Sequence, residues 1–126
     1  MNARPKLVKK PKETITDARA AGLHALNRII RKNTALDRAL EEPELAPLEG
    51  RDRAFVKQLL MLALKRYGEI KQLLASALDQ PEKSLPPQVE DALVLGTAQL
   101  LWMDVPDYAA IDTTVEMIKG RFPKHA

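Results

Sequence analysis

The side chains that could perform acid–base chemistry in this sequence are few and far apart. Asp112 and Glu116 lie four residues apart, which on a helix places an acid and a potential base on one face. The helix dipole also favours carboxylates near a helix start, so we interpret this pair as surface charges. His24 could serve as a general base, but we interpret a single histidine beside an apolar stripe as structural. These residues predict no catalytic centre.

The composition excludes several further kinds of site. The chain has no cysteine and two histidines, which excludes a disulfide framework, a thiolate nucleophile and a cysteine-ligated metal, and we predict no metal site. Neither a glycine-rich phosphate loop nor a nucleophile elbow is present. No apolar run approaches the roughly 20 residues of a membrane-spanning helix, and no secretory signal is found. We therefore expect a soluble, cytoplasmic domain.

Positive charge is concentrated at the N-terminus and points to a phosphate-bearing partner. The net charge is +3, and the first twelve residues carry no acid, so we predict a flexible basic arm at 1–13 before a domain at 14–126. Further cations lie on the first and third predicted helices. The candidate phosphate contacts for nucleic-acid binding are Lys6, Lys9, Lys10, Lys12, Arg19, Arg51, Arg53 and Lys57. In the alternative interpretation the arm only aids solubility, and Arg51 and Arg53 pair with Glu49 and Asp52.

Two aromatic residues flank the short turn at 104–107. Trp102 and Tyr108 could stack on a nucleic-acid base. Burial at a helix junction is more typical of such amphipathic aromatics, and we favour it here.

Prolines divide the chain into segments with helical apolar spacing. The sequence predicts a compact all-α bundle of about six helices, with few β-branched or aromatic residues to favour strands. The predicted helices cover about 14–32, 34–41, 51–67, 69–79 and 87–103, with a last helix ending near Gly120. Thr14 is the expected cap of the first helix, Asn33 or Thr34 caps the second, and Gly68 is expected to end the third.

The apolar stripes predict which faces are buried. The third helix is apolar around much of its circumference and is expected to be central. Leu73 belongs to the expected buried face of the fourth helix, and Leu93 and Leu100 to that of the fifth. Ile111, Val115 and Ile118 mark that of the last helix. Gly96 costs about 1 kcal/mol of helix propensity, and we expect it to allow close approach of the third helix.

Three sequence blocks resemble the NusB-type RNA-binding domains. The run RDRAFVKQL at 51–59 resembles that family's helix signature, and 93–103 with VPDYAAID at 105–112 resembles its second signature. The segment ARAA at 18–21 is similar to its first helix. Within the family, the blocks are most similar to the N-terminal domain of the rRNA cytosine methyltransferases of the Sun/Fmu type.

The resemblance implies an RNA-binding domain that positions small-subunit rRNA for a methyltransferase domain in the same polypeptide. That domain would use S-adenosylmethionine and a cysteine pair to methylate cytosine at its 5-position. This chain has no cysteine, so no catalytic residue or cofactor site carries over. Two alternatives stay open: a transcription antitermination factor that binds leader RNA with a ribosomal protein, and a protein-interaction module without RNA.

The chain also departs from the family pattern. It stops where the family continues into a final helix, so we expect a truncated domain with exposed apolar surface, for which a homodimer is one outcome. Val94 stands where the family usually has arginine, so the resemblance implies that this chain lacks one candidate RNA-contacting cation.

Overall fold

The computed structural model describes residues 17–78 and 85–121. Six α-helices and one 3₁₀ turn form a single bundle, and the described residues contain no strand, which confirms the prediction of an all-α fold. The elements, in chain order, are α1 (Ala18–Arg31), α2 (Leu36–Leu40), the 3₁₀ turn (Pro43–Leu45), α3 (Gly50–Lys65), α4 (Tyr67–Ala77), α5 (Pro87–Trp102) and α6 (Asp107–Arg121).

Local residue chemistry sets the start and end of α1. The Asp17 side chain accepts a hydrogen bond from the Ala20 N–H at 2.9 Å and caps the helix. The expected cap at Thr14 lies outside the described residues. Asn33 has a φ of 57°, a left-handed conformation that asparagine tolerates at helix ends. It therefore belongs to the end of α1, and the expectation that Asn33 or Thr34 caps α2 is wrong, since α2 follows Ala35 without a side-chain cap.

The junction between α3 and α4 differs from the predicted one. We expected Gly68 to end the third helix, but α3 ends at Lys65 and Gly68 lies within α4. Arg66 alone separates the two helices, with a φ of −102° and a ψ of 14°. The chain therefore ends α3 and begins α4 without a glycine in the positive-φ region.

Helices α1, α3 and α5 pack against one another and form the centre of the bundle. Their contact is built from fully buried aliphatic side chains, among them Leu23, Leu26, Leu59, Leu60 and Leu95. The prediction that α3 is central is confirmed. Helix α2 covers α1, and α4 covers α5. Burial of this apolar surface is the main stabilising contribution to the fold.

Helices α5 and α6 form the most extensive helix pair. The close approach predicted at Gly96 occurs here, and the approaching helix is α6. A Cβ at Gly96 would overlap Thr114 Oγ1 of α6 and lie 3.0 Å from Thr114 Cγ2. The expected approach of the third helix is therefore wrong. The glycine brings α6 close to α5, with Ala110 and Met117 buried on the same side.

The buried faces of α5 and α6 are also rotated from the predicted ones. Leu100 is 38% exposed, Ile111 54% and Val115 46%. Of the stripe predicted on α6, Ile118 packs against the core and the other two residues face solvent, because the side of α6 that meets α5 at Gly96 carries Ala110, Thr114 and Met117. Leu73 of α4, also expected in the core, is exposed.

Candidate nucleic-acid interface

Arg19 lies where α1, α3 and α5 meet. Its Nε donates a hydrogen bond to Oε1 of the buried Gln99 at 2.8 Å. Its guanidinium lies 4.9 Å from the centre of the Phe55 ring, an arrangement that stabilises the cation over the aromatic face. Arg51 precedes Phe55 by one helical turn and therefore lies next to the same edge of α3.

The solvent-facing side of α3, called its outer face below, carries exposed positive charge. Arg51, Lys57 and Lys65 are exposed, and among the residues that the structure describes none of them forms a salt bridge. At 3.6 residues per turn, Arg51 and Lys57 are about 120° apart around the helix. Both are exposed and flank the buried face of α3 that contains Val56, Leu59 and Ala63. The alternative pairing of Arg51 with a neighbouring acid is not observed in this part of the chain.

Arg53 has an internal role that the sequence did not indicate. Its Nη1 donates to Leu40 O at 2.8 Å, its Nη2 to Leu45 O at 2.9 Å, and its Nε to Leu48 O at 3.1 Å. The guanidinium thereby satisfies carbonyls at the end of α2 and around the 3₁₀ turn, and fixes the segment before α3. We therefore remove Arg53 from the proposed phosphate contacts.

Lys6, Lys9, Lys10 and Lys12 lie outside the described residues, so their contacts with RNA stay predictions. Val94, where we considered a lost RNA-contacting cation, is fully buried. That position offers no surface to RNA in this chain.

The two flanking aromatics have different environments. Trp102 is partly buried, and the Arg66 guanidinium lies 4.8 Å from its ring centre. Tyr108 is 72% exposed, so the expectation that both are buried is wrong for this residue. Arg66 also pairs with Glu69 at 3.1 Å, which places it in internal contacts.

A charged network joins α1, α4 and α5. Arg31 Nη2 lies 2.8 Å from Oδ1 of the fully buried Asp91 and 3.3 Å from Glu90 Oε1. Lys71 Nζ lies 3.1 Å from Glu90 Oε2. Burial raises the pKa of Asp91, with the Arg31 charge opposing it. Burial also acts to raise the pKa of Glu90, but hydrogen bonds from Lys71 and Arg31 outweigh it and lower that pKa.

A second polar cluster ties α1 to the 3₁₀ turn. Atoms of His24, Glu42 and Glu44 lie within 4.8 Å of one another, which is a donor set that a divalent cation could use. Arg28 Nε, however, donates to Glu42 Oε1 at 3.1 Å, and His24 Nε2 lies 3.4 Å from the same oxygen. Arg28 already supplies the positive charge, so we interpret this cluster as a structural ion-pair network.

The apolar concavities formed by the described residues include two on the faces of α3 and of the α5–α6 pair. One, of about 660 Å³, lies on the outer face of α3 beside Leu36. The other, of about 250 Å³, lies between α5 and α6, with Leu100, Ile111 and Val115 at its edge. The second has no charged lining residue. None of the helices in the described residues is both long and apolar enough to cross a membrane.

The fold and the basic surface define an all-α bundle domain with exposed cations on its third helix. Within that class, the family model described as the NusB family matches residues 16–126. The chain belongs to the NusB family.

The curated relatives include ribosomal RNA methyltransferases. The "Ribosomal RNA small subunit methyltransferase B" of Thermus thermophilus is 39% identical over 94 residues, which is 74% of this chain and 22% of the relative. The protein of the same name from Shewanella oneidensis is 28% identical over 98 residues, 78% of this chain and 23% of the relative. The chain thus spans about a fifth of the length of these relatives.

A further relative has a different name. The "Transcription antitermination protein NusB" of Gloeothece citriformis is 27% identical over 115 residues, 89% of this chain and 51% of the relative. No solved structure gives a significant match.

Proposed function

We propose that this domain binds small-subunit rRNA and positions it for the catalytic domain of an S-adenosylmethionine-dependent rRNA (cytosine-5) methyltransferase. The similarity to the methyltransferases of Thermus and Shewanella supports this assignment. The observation that carries the RNA-binding role is the group of exposed cations on the outer face of α3, which form no salt bridge in the described part of the chain. Phosphate contacts would give affinity and position without base readout.

The proposed RNA surface begins at the edge of α3 where Arg19 lies over Phe55. Arg51 is exposed one turn away, and Lys57 extends the positive surface around the helix. The contact of Arg19 with Gln99 holds its side chain in place, which reduces the entropy lost when a phosphate binds. The arm at 1–13 would add further phosphate contacts.

The chemistry of methyl transfer would belong to the catalytic domain of the same polypeptide. S-adenosylmethionine would bind that domain, because the described residues here contain no strand and no glycine-rich turn between a strand and a helix. We place the protein in the cytoplasm and assign no catalytic residue to these helices.

RNA binding by the 126-residue chain tests this proposal. Affinity for a small-subunit rRNA hairpin and an unrelated hairpin should fall steeply as salt rises, because phosphate contacts release counterions. Deleting residues 1–12 should flatten the log–log salt slope by several units, and Arg51→Glu should flatten it by about one unit. Lys119→Glu, on the exposed side of α6, is the charge-matched control and should leave the slope near the wild-type value.

Absence of binding even at low salt would contradict the proposal and favour a protein-interaction module. An unchanged slope after the deletion would remove the arm from the RNA contacts.

The second candidate is an antitermination factor that binds leader RNA together with a ribosomal protein. The similarity to the Gloeothece protein, which extends over 89% of this chain, favours it. Preference for a leader hairpin over the rRNA hairpin, increased by an added ribosomal protein, would support this candidate over the first.

We also propose that the exposed aliphatic surface of α5 and α6 allows a homodimer. Sedimentation of wild type and Ile111→Glu measures it, since a charge in that surface should shift a dimer toward monomer.

A further inference from the structure

We infer that the outer face of α3, from Ala54 to Lys65, is a docking site for an acidic amphipathic helix of a protein partner. The face has an apolar floor and a basic edge, and forms the concavity of about 660 Å³. Its lining residues are Leu36, Ala54, Lys57, Gln58, Met61, Leu62, Leu64 and Lys65.

The spacing of the exposed residues fits a helix as the occupant. Arg51, Ala54, Gln58, Met61 and Lys65 follow one another at alternating intervals of three and four, which gives a straight stripe along α3. This spacing is the one with which helices pack against each other. The stretch from Ala54 to Lys65 is about 17 Å long at 1.5 Å per residue, which is about three helical turns.

The charge of the lining residues indicates that the partner is acidic. Two lysines and no acid line the concavity, and Arg51 continues the basic edge beyond Ala54. Met61, at the centre of the stripe, is 52% exposed. A partner helix with an aliphatic stripe and flanking carboxylates would bury Met61 and pair with Lys57 and Lys65 at the same time.

The same residues fit an RNA base poorly. Single-stranded bases are bound by stacking on aromatic rings or guanidinium planes. The lining residues here include neither. The docking site shares Lys57 and Lys65 with the exposed cations of the proposed RNA surface, and its apolar floor at Met61 distinguishes it. Met61→Glu therefore changes the docking site without removing any of these cations.

Fluorescence anisotropy of a labelled peptide tests the inference with the 126-residue chain. The probe is a helix of about 15 residues made of leucine, alanine and glutamate, with leucines spaced alternately three and four apart. The control peptide has lysine in place of each glutamate. The glutamate peptide should bind the wild-type chain, and the lysine peptide should bind at least about tenfold more weakly.

Two variants within the docking site have matched controls elsewhere on the surface. Met61→Glu places a charge in the apolar floor, and its control is Leu73→Glu, because Leu73 is 42% exposed on α4. Lys65→Glu reverses the edge charge, and its control is Lys119→Glu on α6. Each docking-site variant should weaken peptide binding at least about tenfold, and each control should stay within about twofold of wild type.

Circular dichroism checks that each variant is folded, and Lys65→Glu tests the site even where Met61→Glu does not fold. The inference fails if the wild-type chain does not bind the glutamate peptide, or if all four variants bind it alike. Loss of rRNA affinity in Met61→Glu, with no peptide binding to wild type, would assign this face to RNA. Peptide binding together with absent RNA binding would support the docking site and contradict the proposed RNA function.

Discussion

Helix α3 and the α5–α6 pair both expose aliphatic side chains, but they differ in surface charge and in how the helices are held. The outer face of α3 combines Met61 with exposed cations, and polar contacts of Arg53 fix the segment that leads into it. The α5–α6 surface exposes Ile111 and Val115 with no charge in its concavity, and its helices touch directly at Gly96.

This difference separates two ways of building a binding surface. A charged edge around an apolar floor selects a partner of opposite charge and increases its association rate. An uncharged aliphatic surface specifies little beyond shape, and in water it favours association with any apolar surface that fits. Only the α3 surface therefore indicates the chemical class of its ligand.

Removing the Arg53 contacts should have the largest effect on the α3 side. Arg53→Ala leaves three carbonyls without their charged donor and should lower the free energy of unfolding by about 3 kcal/mol. Arg51→Ala, two residues earlier and exposed, should change it by less than about 0.5 kcal/mol. Urea denaturation measures both, and equal effects would show that the Arg53 hydrogen bonds do not stabilise the fold.

Filling the close contact should have the next largest effect, on the α5–α6 side. Gly96→Ala places a Cβ against the Thr114 side chain and should destabilise the fold by about 2 kcal/mol. Adding Thr114→Ala should recover part of the loss. Gly68→Ala is the control, because no atom lies within 4 Å of the added Cβ. It should stabilise the protein by up to about 1 kcal/mol through helix propensity.

The charged network of Arg31 and Lys71 with Glu90 and Asp91 should make the stability of the fold depend on pH. We expect this change in stability to be smaller than those of the two preceding substitutions. The raised pKa of Asp91 makes the folded state bind more protons, so its contribution to stability falls as pH rises from the ordinary aspartate pKa through the raised one. The lowered pKa of Glu90 acts in the opposite direction, and its contribution is lost as pH falls through that lowered value.

Thermal unfolding of single variants between about pH 3 and pH 6 separates the two contributions. Asp91→Asn should make stability rise more steeply with pH than in wild type, and Glu90→Gln should make it rise less steeply. Identical pH profiles for the two variants would contradict these assignments.

The secondary structure was largely predictable from the sequence, because proline positions and helical spacing act locally. Six helices were expected and six are present in the described residues, with ends that differ by a few residues. The errors at Gly68 and Asn33 arose at junctions, where one backbone conformation decides between ending a helix and starting another.

The candidate site was less predictable. Arg51 and Lys57 are exposed as their positions on an amphipathic helix indicate. No local pattern shows that Arg53 faces the carbonyls of 40, 45 and 48, since these come from a turn whose path is set by packing. The alternating spacing of Ala54, Met61 and Lys65 is present in the sequence, but the neighbouring apolar residues of α3 also fit a buried face.

The sequence by itself determined that this chain is helical, that α3 is central and that the chain belongs to the NusB family, since composition, periodicity and motifs are local properties of the chain. The tertiary structure decided which face of each helix is buried. On α6, Ile111 and Val115 lie outside because the close contact at Gly96 sets the rotation of the helix and places Ala110, Thr114 and Met117 against α5.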